Sequence, residues 1–440
     1  MTTLYTNAYV VTMHGDGTEH ADGWLLVDDG IVAATGDGAL PVADVRVDLG
    51  GALVTPGLVN THHHLYQTLT RGLAQEADLF TWLRLLYPVW SRIDAAAEYV
   101  AARTGLAELA LSGCTTVFDH HYVFPRGEEG LIEAELQAAR ELGVRLVAAR
   151  GSMDLGESDG GLPPDSLVEE IDAVLAETER LATLVDGDLA SLAVAPCSPF
   201  SVTKELMRES AELARRLGMK LHTHLAETVE EDAYCQELYG CRPVEYLGEL
   251  GWLDGDVWCA HRVHLSDADV ASFAAHDVGV AHCPTSNQRL GAGVAPVREL
   301  LDAGVRIGLG VDGSASNERG DMSFETRQAL LAARGRGGPS ALTAREALRL
   351  ATVGGAKVLG RPDIGSLEPG KRADFAVWRL DELALAGIAD PVAGLVFSAP
   401  HRVDRLVVGG EEVVREGHLV RADEDEIARE HARETRRFAP

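Results

Sequence analysis

The sequence is poor in basic residues and has no long apolar run. Its 440 residues include 39 Lys and Arg against 68 Asp and Glu, which gives a formal net charge of −29. Such a charge repels polyanions, so we expect no nucleic acid and no anionic membrane surface among its partners. No run of about 18 apolar residues occurs, which excludes a transmembrane helix. Hydrophobic residues make up 46% and charged residues 24% of the chain, as in a globular protein rather than a disordered chain, a collagen or a coiled coil.

Cysteine pairs of the CxxC type are also absent, which excludes zinc-finger and thioredoxin motifs. The six cysteines are Cys114, Cys197, Cys235, Cys241, Cys259 and Cys283. We expect them to be reduced and mostly buried, as in a cytosolic protein. The first residues, MTTLYTNAYVVTMHGDG, contain no basic segment followed by an apolar stretch. We therefore expect no signal peptide and a cytoplasmic location.

The two ends of the chain resemble each other and differ from its middle. Residues 3–55 and 373–420 contain short apolar runs separated by turn signals, among them Asp29-Gly30 and Gly409-Gly410. This pattern predicts one small β-sandwich domain built from residues 1–56 and 366–440. The charged segment EDEIAREHARETRRF near the end of the chain predicts a solvated amphipathic helix.

Residues 57–365 alternate apolar strands with amphipathic helices. The eight predicted strands cover residues 58–64, 115–121, 145–151, 189–197, 220–226, 257–262, 278–284 and 306–313. Helical spacing with a closing glycine recurs between them. The fold class is therefore α/β, and eight such repeats predict a (β/α)8 TIM barrel. A doubly wound open sheet is the alternative, but no GxGxxG motif opens a helix after the first strand.

Ionisable residues stand at the ends of most predicted strands. They are His62, His64, His120, His224, His261, His282 and Asp312. Barrel enzymes build their active sites at the C-terminal ends of the strands. We therefore expect the functional site at this face of the barrel.

The spacing of these residues indicates a metal site. Alternation along a strand places His62 and His64 on one face, where both imidazoles can bind one metal. Glu227 follows His224 by three residues, and metal-assisted hydrolysis needs such an unligated carboxylate to transfer protons. Each feature alone has a simpler explanation: a chance histidine cluster, a first-turn helix glutamate, or an N-cap in the case of Asp312. Together, at the same ends of several strands, they favour a metal site.

These residues lie in motifs that resemble the amidohydrolase superfamily, in its cytosine-deaminase-like aminohydrolase branch. The motifs are PGLVNTHHH, HTHLAET, the AH of CAHRVHL, HCPTSN, GLGVDGSASN and SLEPGKRADFAV. The resemblance spans nearly the whole chain. It implies one divalent metal bound by His62, His64, His224 and Asp312.

The same resemblance assigns the catalytic roles. Glu227 is the implied proton shuttle, His261 orients the hydrolytic water, and Asp312 can also approach that water. Members with two metals bridge them through a lysine at the end of the fourth strand, where this chain has Ala195-Pro196-Cys197-Ser198. One metal is therefore expected. Zinc suits three imidazoles and one carboxylate, and iron is the alternative.

The implied substrate is a small heterocycle. Within the branch, THHHLYQTLTRGL, ADLFTWLRLLYPVWSRI and GVDGSASN resemble the bacterial 8-oxoguanine deaminases, which implies hydrolysis of 8-oxoguanine to urate and ammonia. Hydrolases of s-triazines and deaminases of pterins, guanine or adenosine-type compounds are the alternatives. Dechlorinating relatives can lack the residues at the positions of Glu227 and Asp312, so their presence here favours deamination. The candidates for contacting the heterocycle are Gln67, Trp82, Tyr122, Cys197 and His282.

Several of these assignments leave other interpretations open. Gln67 also fits a helix surface, Trp82 fits core packing, and His282 fits a buried structural histidine. Arg262 stands where relatives tend to carry a small or apolar residue, and strand alternation predicts that it points out of the barrel. A two-metal opener of cyclic amides and a non-catalytic binding protein are the alternatives from other classes. Barrels of this branch are commonly homo-oligomers, so we expect a homo-oligomer here.

Overall fold

The structure, a computed structural model, describes residues 1–15, 17–185, 187–399 and 402–439, apart from the side chain of residue 384. Within these residues the strands form two sheets. One is an open sheet built from both ends of the chain, and the other is a closed barrel built from its centre. Both agree with the predicted architecture, whereas the exact domain boundaries stay a prediction.

The open sheet has eight strands. Its strands are β1 (Thr2–Val11), β2 (Glu19–Asp28), β3 (Ile31–Asp37), β4 (Val45–Pro56), β13 (Phe375–Trp378), β14 (Arg405–Val408), β15 (Glu411–Arg415) and β16 (His418–Leu419). Their order across the sheet is β16-β15-β14-β13-β4-β1-β2-β3. The two chain ends meet where β13 runs antiparallel to β4. Asp29-Gly30 and Gly409-Gly410 both have positive φ at each residue, as tight hairpin turns require.

The barrel has eight parallel strands in chain order, each at a predicted position. They are β5 (Leu58–Asn60), β6 (Cys114–His121), β7 (Arg145–Ser152), β8 (Ala190–Pro196), β9 (Leu221–Leu225), β10 (Val257–His261), β11 (Gly279–His282) and β12 (Ile307–Leu309). Pairing of Leu309 with Asn60 closes the ring. The first strand is shorter than predicted, because its ladder ends at Asn60 and a 3-10 helix begins at Leu65.

Helices surround the barrel and connect its strands. They are α1 (Leu79–Trp90), α2 (Ala95–Leu111), α3 (Leu131–Leu142), α4 (Ile171–Ala182), α5 (Lys204–Leu217), α6 (Val229–Tyr239), α7 (Pro243–Glu249), α8 (Asp267–Ala275), α9 (Pro284–Arg289), α10 (Val297–Asp302), α11 (Met322–Gly337), α12 (Ala344–Arg349), α13 (Gly355–Val358), α14 (Pro391–Ser398) and α15 (Glu424–Glu434). Asp94, Thr203 and Ser266 cap α2, α5 and α8 by accepting a backbone N–H. The tail helix α15 forms where predicted and pairs with α2 through Arg103 and Glu430, 2.8 Å apart.

The barrel interior is apolar below and polar above. Phe118, His222 and Trp258 pack their rings together, with centroids 4.7–4.8 Å apart. This aromatic floor lies beneath the strand ends that carry the other histidines. Burial of the floor holds the strand ends at fixed distances from one another. In the part of the chain that the structure describes, no helix combines the length and apolar character needed to cross a membrane.

Candidate active site

Four side chains from three strand ends converge at the top of the barrel. The Nε2 atoms of His64 and His224 lie 3.1 Å apart. The Oδ1 atom of Asp312 lies 3.4 Å from Nε2 of His62 and 3.3 Å from Nε2 of His64. All four side chains are buried. The structure therefore brings together the four residues that the sequence suggests as metal ligands.

Hydrogen bonds at Nδ1 turn each imidazole so that its Nε2 faces the cluster. His64 Nδ1 lies 2.7 Å from the carbonyl oxygen of His120, and His224 Nδ1 lies 2.8 Å from that of Cys197. A carbonyl oxygen only accepts, so both Nδ1 atoms donate and both Nε2 atoms keep a free lone pair. Burial, followed by the neighbouring imidazoles, holds the pKa of both rings well below the ordinary value. Neutral rings with exposed Nε2 lone pairs are the form that binds a metal.

His222 fixes the orientation of the His62 imidazole through a hydrogen bond to its Nδ1. His222 Nδ1 lies 3.1 Å from the carbonyl oxygen of Trp258, so it donates and leaves Nε2 as an acceptor. That Nε2 lies 2.9 Å from Nδ1 of His62, which therefore donates. His62 is left with its Nε2 facing Asp312. These two contacts give His222 an orienting position beside His62.

Two serines hold the other oxygen of Asp312. Ser286 Oγ donates to Oδ2 at 2.5 Å, and Ser316 Oγ lies 3.3 Å from the same atom. Burial would raise the pKa of Asp312, but the neighbouring imidazoles, His62 first and then His261 and His64, hold it well below its ordinary value. The carboxylate is thus ionised and presents Oδ1 to the imidazoles.

The separations between these donor atoms fit one tetrahedral metal ion. Zinc binds imidazole nitrogen and carboxylate oxygen at about 2.0–2.2 Å, and a tetrahedron with such bonds has edges of roughly 3.3–3.6 Å. The observed separations of 3.1, 3.3 and 3.4 Å are close to that edge length. His62, His64, His224 and Asp312 can therefore hold one divalent cation. His120 belongs to the same group of possible donors. Its Nε2 lies 2.8 Å from the carbonyl oxygen of Ala195, and its Nδ1 has no hydrogen-bond partner among the described residues.

Glu227 and His261 face each other beside this cluster. Glu227 Oε2 lies 3.4 Å from His261 Nε2. Burial, followed by the charges of Asp312 and Glu231, raises the pKa of Glu227 well above its ordinary value. Burial lowers the pKa of His261 to about 4, and its Nδ1 lies 3.0 Å from Oδ1 of Asn287. These shifts favour the protonated carboxyl group and the neutral imidazole, which are the forms that suit proton transfer.

A cavity opens over these groups. Its walls include the apolar side chains Leu79, Leu83, Tyr87, Phe200 and Leu290. Four of the five candidate substrate contacts line it, namely Gln67, Trp82, Tyr122 and Cys197. The fifth candidate, His282, is buried but is not among the described residues that line this cavity. Planar heterocycles need such apolar walls with a few polar groups.

Arg262 points away from this cavity, as alternation predicts. Its guanidinium lies 4.2 Å from the ring centroid of Phe273 on α8, outside the barrel. Sequence reasoning missed Ser286, Ser316 and Glu231, which hold the site residues from behind. Ser286 lies in HCPTSN and Ser316 in GLGVDGSASN, so the motifs themselves carry a signal for two of the three.

A second buried cluster lies behind β6, outside the cavity. His121 Nδ1 is 3.1 Å from Oε1 of Glu135 and 3.6 Å from Oε2 of Glu98. Nearby, Asp119 accepts the backbone N–H of Leu65 at 2.6 Å. Ion pairing of a protonated His121 accounts for this group, because the surrounding carboxylates favour its charged form.

Comparison with known proteins agrees with this geometry. The sequence matches the amidohydrolase family over residues 53–413. It is 48% identical to the 8-oxoguanine deaminase of Pseudomonas aeruginosa over 406 residues, which cover 90% of each chain. It is 38% identical to an isoxanthopterin deaminase of an unknown prokaryotic organism, over 99% of this chain and 96% of the other.

A solved structure has the same fold. The atrazine chlorohydrolase of Arthrobacter aurescens, crystallised with zinc, superposes with a TM-score of 0.94 at 34% identity, over 98% of this chain and 100% of the other. The buried His/Asp cluster and this zinc complex agree on a metal-dependent enzyme. The chain belongs to the amidohydrolase family, as a metal-dependent hydrolase that acts on carbon–nitrogen bonds.

Proposed function

We propose that the protein is an 8-oxoguanine deaminase, which hydrolyses the exocyclic amine to give urate and ammonia. The observation that carries this proposal is a buried, unligated Glu227 beside a His/Asp cluster able to hold one metal ion. The substrate is supported by 48% identity over 90% of the chain to a deaminase of that name. Isoxanthopterin, triazines and adenosine-type compounds are the competing substrates.

His62, His64, His224 and Asp312 would hold the metal. Zinc bound there lowers the pKa of a water molecule and so provides a nucleophile at neutral pH. His261 and Asp312 both line the cavity. Hydrogen bonds to these two groups orient the water toward the carbon that bears the amine.

Glu227 supplies the protons that the reaction needs. Burial raises the pKa of its carboxyl well above the ordinary value, which favours the protonated form that can donate. It first protonates the ring nitrogen next to the attacked carbon and then transfers a proton from the water to the departing amine. One water adds, one C–N bond breaks, and ammonia leaves. His261 Nε2, 3.4 Å from the same carboxyl, accepts a hydrogen bond during these transfers.

The cavity suits a flat ring. Trp82 donates Nε1 to the carbonyl oxygen of Ala315 at 3.3 Å, which fixes its indole at the wall. Gln67 is buried at the same cavity, and its Oε1 has no hydrogen-bond partner among the described residues. An unpaired buried carbonyl gains a full hydrogen bond from a ring N–H. Gln67 Oε1 therefore accepts a hydrogen bond from an N–H group on the edge of the substrate.

The test is ammonia release from metal-loaded protein. The panel contains 8-oxoguanine, guanine, isoxanthopterin, cytosine, adenosine and a hydroxytriazine, and ultraviolet spectra identify the product. We expect turnover of 8-oxoguanine to urate with the highest kcat/KM of the panel. Higher kcat/KM for another member would reassign the substrate and keep the mechanism. Two metals per chain together with ring opening of a cyclic amide would contradict the proposal.

A further inference from the structure

Glu231 is a buried carboxylate at the start of α6, four residues after the proposed acid. Its Oε1 accepts the backbone N–H of Ala226 at 2.8 Å, and its Oε2 accepts that of Glu227 at 2.9 Å. Both oxygens are thus used on the two consecutive amides that lead to the Glu227 side chain. Neither cavity lining nor metal binding explains this arrangement. Among the described residues, Glu231 is absent both from the cavity lining and from the groups of side chains that could hold a metal ion.

The backbone at this point is in a conformation that needs support. Ala226 has φ of +53°, in the left-handed region that residues with a Cβ rarely adopt. Such conformations cost on the order of 1–3 kcal/mol and persist only where the surroundings fix them. The two hydrogen bonds from Glu231 supply part of that support, so the direction of the Glu227 side chain depends on them.

The same peptide also holds the loop after His261. The carbonyl oxygen of Ala226 accepts the N–H of Val263 at 2.9 Å and that of His264 at 3.0 Å. His261 and Arg262, just before these residues, also have positive φ. Fixing the Ala226 peptide therefore fixes both sides of the Glu227–His261 contact.

The positive charge of Arg262 acts on this buried carboxyl group without a direct hydrogen bond to it. Its guanidinium is fully buried over Phe273, and the charges of Glu231 and Asp269 act on it. Burial raises the pKa of Glu231 to about 7, while the two N–H donors and the charge of Arg262 act in the opposite direction. This gives a reason for an arginine at a position that turns away from the substrate.

We propose that Glu231 is a positioning residue that aims Glu227 and His261 at each other, a role that rests on the proposed deaminase function. Glu231 touches no substrate. It acts through two backbone amides, and a one-ångström displacement of a catalytic group can reduce rate by about a hundredfold.

The experiment compares three variants of the full, metal-loaded chain. Glu231→Gln keeps the shape but sets an NH2 group against one of the two N–H donors. Glu231→Asp keeps the charge but shortens the reach. Glu230→Gln is the matched control, because Glu230 is the exposed neighbour in the same helical turn. The readouts are metal per chain, kcat, KM and amide hydrogen exchange of residues 226–231.

We expect Glu231→Gln to lower kcat by about tenfold to a hundredfold, with KM and metal content unchanged and faster amide exchange. The kcat of Glu231→Asp should lie between those of this variant and the wild type. The kcat of Glu230→Gln should equal that of the wild type. Wild-type kcat in Glu231→Gln would overturn the proposal, and so would a loss explained by missing metal. If Glu231→Gln does not fold, the same criteria apply to Glu231→Asp.

Failure of the proposed function is recognisable separately. In that case the wild type releases no ammonia from any substrate. The amide exchange rates still report on the two hydrogen bonds that Glu231 accepts. Unprotected amides at Ala226 and Glu227 in the wild type would then overturn the positioning role by themselves. Protected amides that become exposed in Glu231→Gln would support it.

Discussion

Glu227 combines three properties that rarely occur together in a carboxyl group. It is buried, it is not among the cluster of metal-binding atoms, and it faces an imidazole at 3.4 Å. A carboxyl in such surroundings has little structural use, because an uncharged residue of similar size would pack at lower cost. Its retention is explained if it carries protons between the water and the leaving amine.

We expect Glu227→Gln to abolish proton transfer while leaving the metal cluster intact. The amide has nearly the same shape but cannot donate and recover a proton, so kcat should fall by about 10²–10⁴-fold. Ammonia release measures the loss, and elemental analysis measures the metal. A variant that keeps wild-type kcat with one metal bound would show that Glu227 is not the proton carrier.

Substitution of His222 should lower the affinity for the metal. His222 is not one of the four ligands but contacts one of them. It accepts from Nδ1 of His62 at 2.9 Å and thereby fixes the tautomer that presents Nε2. His222→Phe keeps a ring against Phe118 and Trp258 but removes the acceptor. Loss of such a partner typically weakens metal binding about 10–100-fold, which competition with a zinc chelator would measure.

An exposed histidine serves as its control. His276 ends α8 at the surface, and His276→Asn should leave zinc affinity unchanged. Equal affinities for His222→Phe and the wild type would mean that His62 keeps its orientation without this hydrogen bond.

The strands were predictable from the sequence, and the groups behind the site were only partly so. Apolar runs that end in His or Asp placed His224, His261 and Asp312 at one face of the barrel. His62 and His64 were paired by strand alternation, although the ladder stops at Asn60 and Nδ1 hydrogen bonds complete their orientation. Glu231 comes from the first turn of α6, and its reach depends on the positive φ of Ala226. Periodicity does not encode such turn angles.

The glycine-rich end of β12 allows close approach to the first metal ligands. A Cβ on Gly310 would lie 2.6 Å from Cβ of His62 and 3.0 Å from its backbone nitrogen. Rotation of the side chain moves neither of these atoms, so the backbone of His62 would have to shift. We expect Gly310→Ala to lower metal content and the melting temperature, as measured by elemental analysis and thermal denaturation.

Gly335→Ala is the control for this substitution. Gly335 lies in α11, and a Cβ there meets nothing within 4 Å. Alanine is the better helix former by about 1 kcal/mol, so this variant should be at least as stable as the wild type. If Gly310→Ala bound zinc normally, the close approach of β12 to His62 would not matter for the site.

Across the whole protein most acidic side chains are not buried, and a small number of charged groups lie inside. One buried pair joins the two sheets: Arg145, at the start of β7, lies 3.2 Å from Asp374, which directly precedes β13. Asp374 also accepts the N–H of Gly409 at 2.6 Å. Removing one partner of such a pair leaves an uncompensated charge, so the pair ties the terminal sheet to the barrel.

A buried carboxyl group with a raised pKa should make the protein less stable as the pH rises from 4.5 to about 8. Glu325, in the first turn of α11, accepts Thr285 N at 3.0 Å and Asn317 Nδ2 at 3.1 Å. Burial raises its pKa to about 8 from an ordinary value of 4.5. Between these two values the folded protein keeps a proton that the unfolded chain releases. The free energy of unfolding therefore falls as pH rises through this window.

Glu325→Gln removes this titration, and the expected result is a flatter dependence of stability on pH. Melting temperatures at about pH 5 and about pH 8 give the slope, which should be smaller for Glu325→Gln than for the wild type. The amide also disturbs the contact with Asn317, so its melting temperature at the lower pH should be reduced. Glu212→Gln, which removes an exposed carboxylate from α5, should keep the wild-type slope. Equal slopes in all three proteins would mean that Glu325 is ionised in the folded state, and that the charges around it are balanced by groups other than a proton.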